Sequence, residues 1–167
     1  GAQLARQGDS DLPDPRRRAN LSVAEELAVE LEVTNSGTVR GFGVPAGITV
    51  IVGDAYSGRI ELLRAMAAGI YNHIPGDGRE LVITVPDAVY ITAEPGRNVQ
   101  KVDLHAFIRA HSGVSDPRHF SCLQADAVAA QAAATSEALE IGARVLLFDE
   151  SESAAEFLGR DARLTEI

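Results

Sequence analysis

The stretch "ITVIVGDAYSGRIELLRAM", Ile48 to Met66, decides how this chain is read. An apolar, β-branched run leads into Gly53, Gly58 stands after a gap of four residues, and a helical pattern follows. Strand, glycine-flanked loop and helix in that order form the frame of a loop that cradles phosphate. Gly47–Val52 is continuously apolar rather than alternating, which predicts a strand buried on both faces. A helix is expected from about Gly58 to Ile70, with Leu62, Leu63, Met66 and Ile70 on one stripe.

Three separable features let such a loop work. Its glycines allow backbone N–H groups to converge on an anion, helped by roughly +0.5 of a charge at the helix N-terminus. A lysine reaches the outer phosphates, and a Ser or Thr hydroxyl beside it holds Mg²⁺. The nucleotide-facing positions here are Gly53, Asp54, Ala55, Tyr56, Ser57, Gly58, Arg59, Ile60 and Glu61. Both glycines are kept, but the lysine position holds Arg59, which forks where a lysine ends in one ammonium. Ile60 has no oxygen to offer a metal. Asp54 and Glu61 add carboxylates to the loop and the first helical turn. One carboxylate about 5 Å from a phosphate oxygen, at an effective dielectric near 20, costs roughly 3 kcal/mol, or about two decades of affinity. The same acids complement an empty helix N-terminus.

A second segment bears on the same chemistry. "RVLLFDE", Arg144 to Glu150, is an apolar strand ending in two acids. In phosphate-loop enzymes such a strand delivers an aspartate that supports Mg²⁺, here Asp149, and a catalytic glutamate that orients water, here Glu150. A buried strand emerging into solvent also ends in acids without any catalytic reason, so the pair gains weight only from its order after the loop.

The remaining chain fits one α/β domain. Its 167 residues are enough for a hydrophobic core, and 46% hydrophobic with 23% charged residues is an ordinary globular composition. A formal charge of −9 argues against a nucleic-acid surface, and the one basic cluster, Arg16-Arg17-Arg18, lies in a Pro/Asp-rich stretch. A single cysteine, Cys122, forms no internal disulfide and suits a reducing cytoplasm. No apolar run approaches the ~20 residues of a membrane span. Residues 1–24 read as an irregular lead-in or linker, with the core over 25–167; a start at Gly1 rather than Met fits an excerpt.

Leu27–Val33 and Thr38–Val44 alternate around Asn35-Ser36-Gly37, predicting a hairpin. "LVITV" and "AVYIT" predict two strands on either side of Pro86-Asp87. Leu123–Ile141 predicts a long Ala-rich helix capped by Gly142, and a last helix is expected over roughly Ser153–Arg163. The spacing of His73, His105, His111 and His119 suits no metal site, and each reads as a surface or hydrogen-bonded histidine.

Taken with "GDSDLP", "LLRAMAAGIYNHIPGDGRE", "SEALEIGARVLLFDES" and "FLGRDAR", the chain resembles a family of ATPases of the ABC class distinct from the transporter subunits. The resemblance covers nearly this whole chain but only the middle of the family's longer proteins, and "YNHIPGDGRE" is its most specific piece. It implies a layered P-loop fold: a mainly parallel core sheet containing the Val52 and Leu147 strands, with a small antiparallel β-layer. It implies ATP and Mg²⁺ as cofactors if the site is active, and a homodimer or a heterodimer with an intact relative. The family's phosphate loop resembles "GGGYHGKST", so its lysine falls on Arg59 and its hydroxyl on Ile60. Its signature, resembling "ASGSTSQA", falls on Ala125–Ala132, where Asp126, Ala127 and Val128 replace serine, glycine and serine. In an ABC dimer that segment meets the γ-phosphate held by the opposite subunit. The family's "TSATNF" becomes "ESAAEF", Glu152 to Phe157, and no later strand brings a switch histidine.

The departures gather at the chemistry and spare the scaffold. The expectation is a domain with impaired or lost ATP binding and hydrolysis, kept as a structural or regulatory partner. Two alternatives stand beside it: a slow ATPase using Arg59, Asp149 and Glu150, and a non-nucleotide assembly module in which Arg59 pairs with Glu61, Asp54 or Asp149.

Overall fold

The computed structural model describes residues 12–14, 23–109 and 116–159. Most of the expected lead-in, Arg16-Arg17-Arg18, His111 and the far end of the expected last helix lie outside the described residues. The chain divides into two compact units, one of Gly1–Leu62 with His73–Leu81 and one of Leu63–Asn72 with Val82–Ile167.

The first unit carries the hairpin. Strands β1 (Ala28–Val33) and β2 (Gly37–Phe42) pair antiparallel, with Ala28 opposite Phe42 and Val33 opposite Gly37. The turn is closed by the Ser36 N–H on the Val33 carbonyl at 3.1 Å. This is the small antiparallel layer expected from the alternation. Gly47–Val52 departs from expectation. It forms no strand, and Ile48, Val50 and Val52 are 99%, 76% and 84% exposed. Apolar content favours a buried strand only where a neighbour accepts its backbone hydrogen bonds, and no described strand pairs with this segment. Leu81–Val85 fails as a strand for the same reason, with Leu81 and Ile83 exposed.

The second unit holds the core. Strands β3 (Ala88–Ile91) and β6 (Val145–Phe148) pair in parallel, Ala88 opposite Val145 and Ile91 opposite Phe148. A parallel pair needs a long crossover, and helix α2 (Ala127–Glu140) lies in it. The same crossover holds β4 (Val99–Val102) and β5 (Phe120–Cys122), an antiparallel pair the sequence did not reveal. Its register is irregular between Val99 and Val102, where Lys101 takes φ 54°. Helix α1 (Arg59–Ala68) is shorter than expected, and α3 spans only Ala155–Leu158.

Burial explains the composition of α2. Ala129, Ala130, Gln131, Ala132 and Ala133 are buried in succession, so this stretch of the helix is covered on all sides, while Leu139 and Glu140 at its end are exposed. Side chains this small let the surroundings approach closely, and Val99, Val102 and Leu104 pack into that cluster with Phe120 and Phe157 at its margin. The helix ends as Gly142 predicts. Gly142 takes φ 89°, its N–H meets the Leu139 carbonyl, and the Ala143 N–H meets the Ala138 carbonyl.

The described residues therefore form a mixed α/β structure with three two-stranded sheets, one of them parallel. The expected single, mainly parallel sheet joining the Val52 and Leu147 segments is corrected: Leu147 pairs with Tyr90 of β3, and the Val52 segment carries no strand.

Candidate functional site

In the first unit the loop after Gly53 is closed by its own groups. The Arg59 Nη1 donates to the Gly53 carbonyl, and the Ser57 N–H donates to the Asp54 carbonyl at 3.2 Å. Arg59 thus turns back on backbone, which corrects the expected pairing with Asp54, Glu61 or Asp149. The Ser57 hydroxyl crowds Gly53 from across the loop: a Cβ on Gly53 would stand 2.5 Å from Ser57 Oγ. Tyr56 sits at the tip with φ 63°, a left-handed conformation that disfavours a bulky side chain, and its ring is fully exposed. Asp54 and Ala55 are exposed, Gly58 and Ile60 are half-buried, and Glu61 is exposed in the first turn of α1.

Asp149 and Glu150 lie where β6 ends, in the second unit. Asp149 is 6% exposed and caps the short turn Glu150–Glu152, accepting from the Ser151 N–H at 2.9 Å and the Ser151 hydroxyl at 2.8 Å. The Tyr90 hydroxyl donates to its other oxygen at 3.4 Å. Burial pushes the Asp149 carboxyl upward, but the Ser151 donors, Tyr90 and the charge of Arg64 outweigh it and hold the carboxyl below its usual range. Burial, with the Asp149 and Glu152 charges, pushes the Tyr90 phenol up to about 12, so it stays a donor at neutral pH. Glu150 is exposed. Arg64 Nη2 meets Glu152 Oε1 at 3.0 Å beside this group.

The signature-like segment opens α2. Asp126 is the N-cap, its carboxylate accepting from the Ala129 N–H at 2.8 Å, while Ala127 and Val128 begin the helix half-buried. The helix dipole is thereby met by a side chain of the protein itself. Deeper in α2, Gln131 is wholly buried and spans to the segment after the acids. Its amide donates to Ser153 Oγ at 2.9 Å and accepts from the Ala154 N–H at 2.8 Å.

Within the most specific stretch of the sequence, Tyr71–Glu80, the residues from His73 onward lie in the first unit and are likewise closed on themselves. Asp77 is buried, gripped by Arg79 through Nε at 2.9 Å and Nη2 at 3.0 Å, and met by His73 Nδ1 at 2.6 Å. Glu80 accepts from the Gly76 N–H. His105 and His119 are each hydrogen-bonded to an aspartate, Asp103 and Asp116. No group of three metal-ligating side chains occurs among the described residues.

Of the expected site residues, Arg59, Asp126 and Asp149 have side chains hydrogen-bonded to groups of the protein itself. Gly53–Glu61 belong to one unit, and Asp126–Val128, Asp149 and Glu150 to the other. The side chains that sequence reasoning missed are Gln131, Tyr90, Arg64 and Glu152. A polar residue inside an alanine run was the available signal for Gln131; nothing in the sequence pointed to the other three together. Four features bear on magnesium-bound triphosphate, two in each unit. Ile60 supplies no oxygen, the Arg59 guanidinium is engaged with the loop it should project from, and Asp126 and Asp149 are satisfied by protein donors.

A sequence-family model for the P-loop domain of ABC_ATPase proteins matches residues 1–167, the entire chain. No curated protein matches it. The chain belongs to the ABC-class ATPase P-loop family.

Proposed function

We propose that this member of the ABC-class ATPase P-loop family has impaired or lost ATP binding and hydrolysis and serves as a structural or regulatory partner. The observation that carries the reading is the closure of Arg59 onto the Gly53 carbonyl beside an isoleucine at the metal-hydroxyl position. A triphosphate would have to break that bond, move Ser57 and approach Asp54 and Glu61 without a hydroxyl for its metal. The Asp126 cap supports the same reading, because an anion brought to the start of α2 meets a carboxylate already bound there. As partner we propose a second copy or an intact relative of the same class, in the cytoplasm. A heterodimer would leave the relative's phosphate loop facing the Asp126 cap.

The test is thermal. A ligand at 100 times its dissociation constant stabilises a protein by about 2.7 kcal/mol, or roughly 5–10 °C at this size. Saturating Mg-ATP should leave the melting temperature unchanged, and an upward shift of several degrees would refute the reading.

One observation favours a second reading, a slow ATPase. Asp149-Glu150 is retained at the carboxyl end of a parallel strand, where ligands of such sheets bind. That reading requires turnover which Glu150→Gln abolishes; activity that persists in the variant belongs to a contaminant.

A further inference from the structure

The acidic loop after β6 is the place where the family's metal should be supported, and its charges are already answered. Asp149 receives two donors from Ser151 and one from Tyr90. Glu152 receives Arg64 Nη2 at 3.0 Å in the same short turn that Asp149 caps, with most of the Arg64 side chain exposed. Glu152 stands where the resembled family has threonine, so this chain has an extra carboxylate and a cation facing it.

We propose that Arg64 is the resident counter-cation of the acidic loop, its guanidinium paired to Glu152 in the turn that Asp149 caps, so that the loop is complete without metal. Two like charges brought to one short turn repel unless a positive charge stands between them. A guanidinium fixed on a helix supplies that charge permanently and without dehydrating a metal ion. The inference rests on the functional reading only in taking the site to work without magnesium-bound nucleotide. A loop completed this way keeps its shape whatever the metal concentration, as suits a domain retained for its form.

The experiment uses metal alone, with no nucleotide, on the intact chain and on Arg64→Met and Arg64→Lys. The unaltered protein should melt at the same temperature in EDTA, Mg²⁺ and Mn²⁺, and should leave the free-Mn²⁺ paramagnetic resonance signal undiminished. Arg64→Met should melt about 1–3 °C lower in EDTA, recover part of that loss in Mn²⁺, and deplete the free-Mn²⁺ signal. Arg64→Lys, which keeps the charge, should behave as the unaltered protein does. If Arg64→Met does not fold, Arg64→Gln provides the same comparison. Mn²⁺ binding by the unaltered chain would overturn the proposal. So would a destabilised Arg64→Met that ignores metal, or an Arg64→Lys no better than Arg64→Met, since either would make the residue a packing element. ATP binding by the unaltered chain would sink the functional reading and leave this result standing.

Discussion

Gln131 offers the sharpest question at the scale of one residue, because both ends of its buried amide are used. Gln131→Leu keeps most of the volume but leaves the Ser153 hydroxyl and the Ala154 N–H without their partner. Two orphaned groups of this kind cost about 2–4 kcal/mol together, so chemical denaturation should show a loss of that size. Gln131→Glu would instead put a charge where burial disfavours one, and should destabilise at least as much at neutral pH. Asp126→Ala removes a helix cap worth about 1 kcal/mol and should be read in the same assay. Asp149 gives a pH dependence. Its carboxyl is held below the usual range in the folded chain, so its contribution is fully present above the unfolded-state value and is lost as pH falls through the lowered folded value. Acid titration of stability should therefore fall less steeply below pH ~4 in Asp149→Asn than in the unaltered chain.

At the scale of elements, α2 shows what pattern can and cannot tell. Its helical propensity, its length and its Gly142 stop were legible, because alanine content and an αL cap are local properties. That it is buried all round over Ala129–Ala133 was not, since alanine suits an exposed helix equally well. Ala133→Leu tests this: three added carbons at a position with no exposure should cost about 1–3 kcal/mol, whereas on an exposed face they would be neutral. The β1–β2 hairpin was legible because alternation and a Gly-containing turn specify it locally. By contrast, β4 and β5 carry no comparable local turn between them; their pairing is made across a long connection and is visible only in three dimensions. Gly47–Val52 failed in the opposite direction: its pattern was strong, but a strand needs a partner as well as a pattern. Hydrogen exchange should find the amides of Ile48–Val52 unprotected and those of Ala130–Ala133 among the slowest in the chain.

Across the whole molecule, the buried hydrophobic residues all lie in the second unit among the described residues, while the first unit holds the phosphate loop and the hairpin. The family was legible in the sequence because scaffold motifs such as "YNHIPGDGRE" survive intact, and the match over residues 1–167 agrees. The candidate site was read from residue types in the sequence, and the partners of its side chains were not legible there. Ile60, Glu61 and Asp126 depart from the resembled motifs by residue type alone, whereas the closing bond of Arg59 and the bonding of Asp149 by Tyr90 and Ser151 depend on side-chain direction. The central claim is that this loop satisfies itself and has no place for a magnesium-bound triphosphate. Calorimetric titration of the unaltered chain with ATP and Mg²⁺ tests it most directly. The account predicts no binding heat at a dissociation constant tighter than about 10 μM, equivalent to about 7 kcal/mol; a one-to-one isotherm below that value would contradict it.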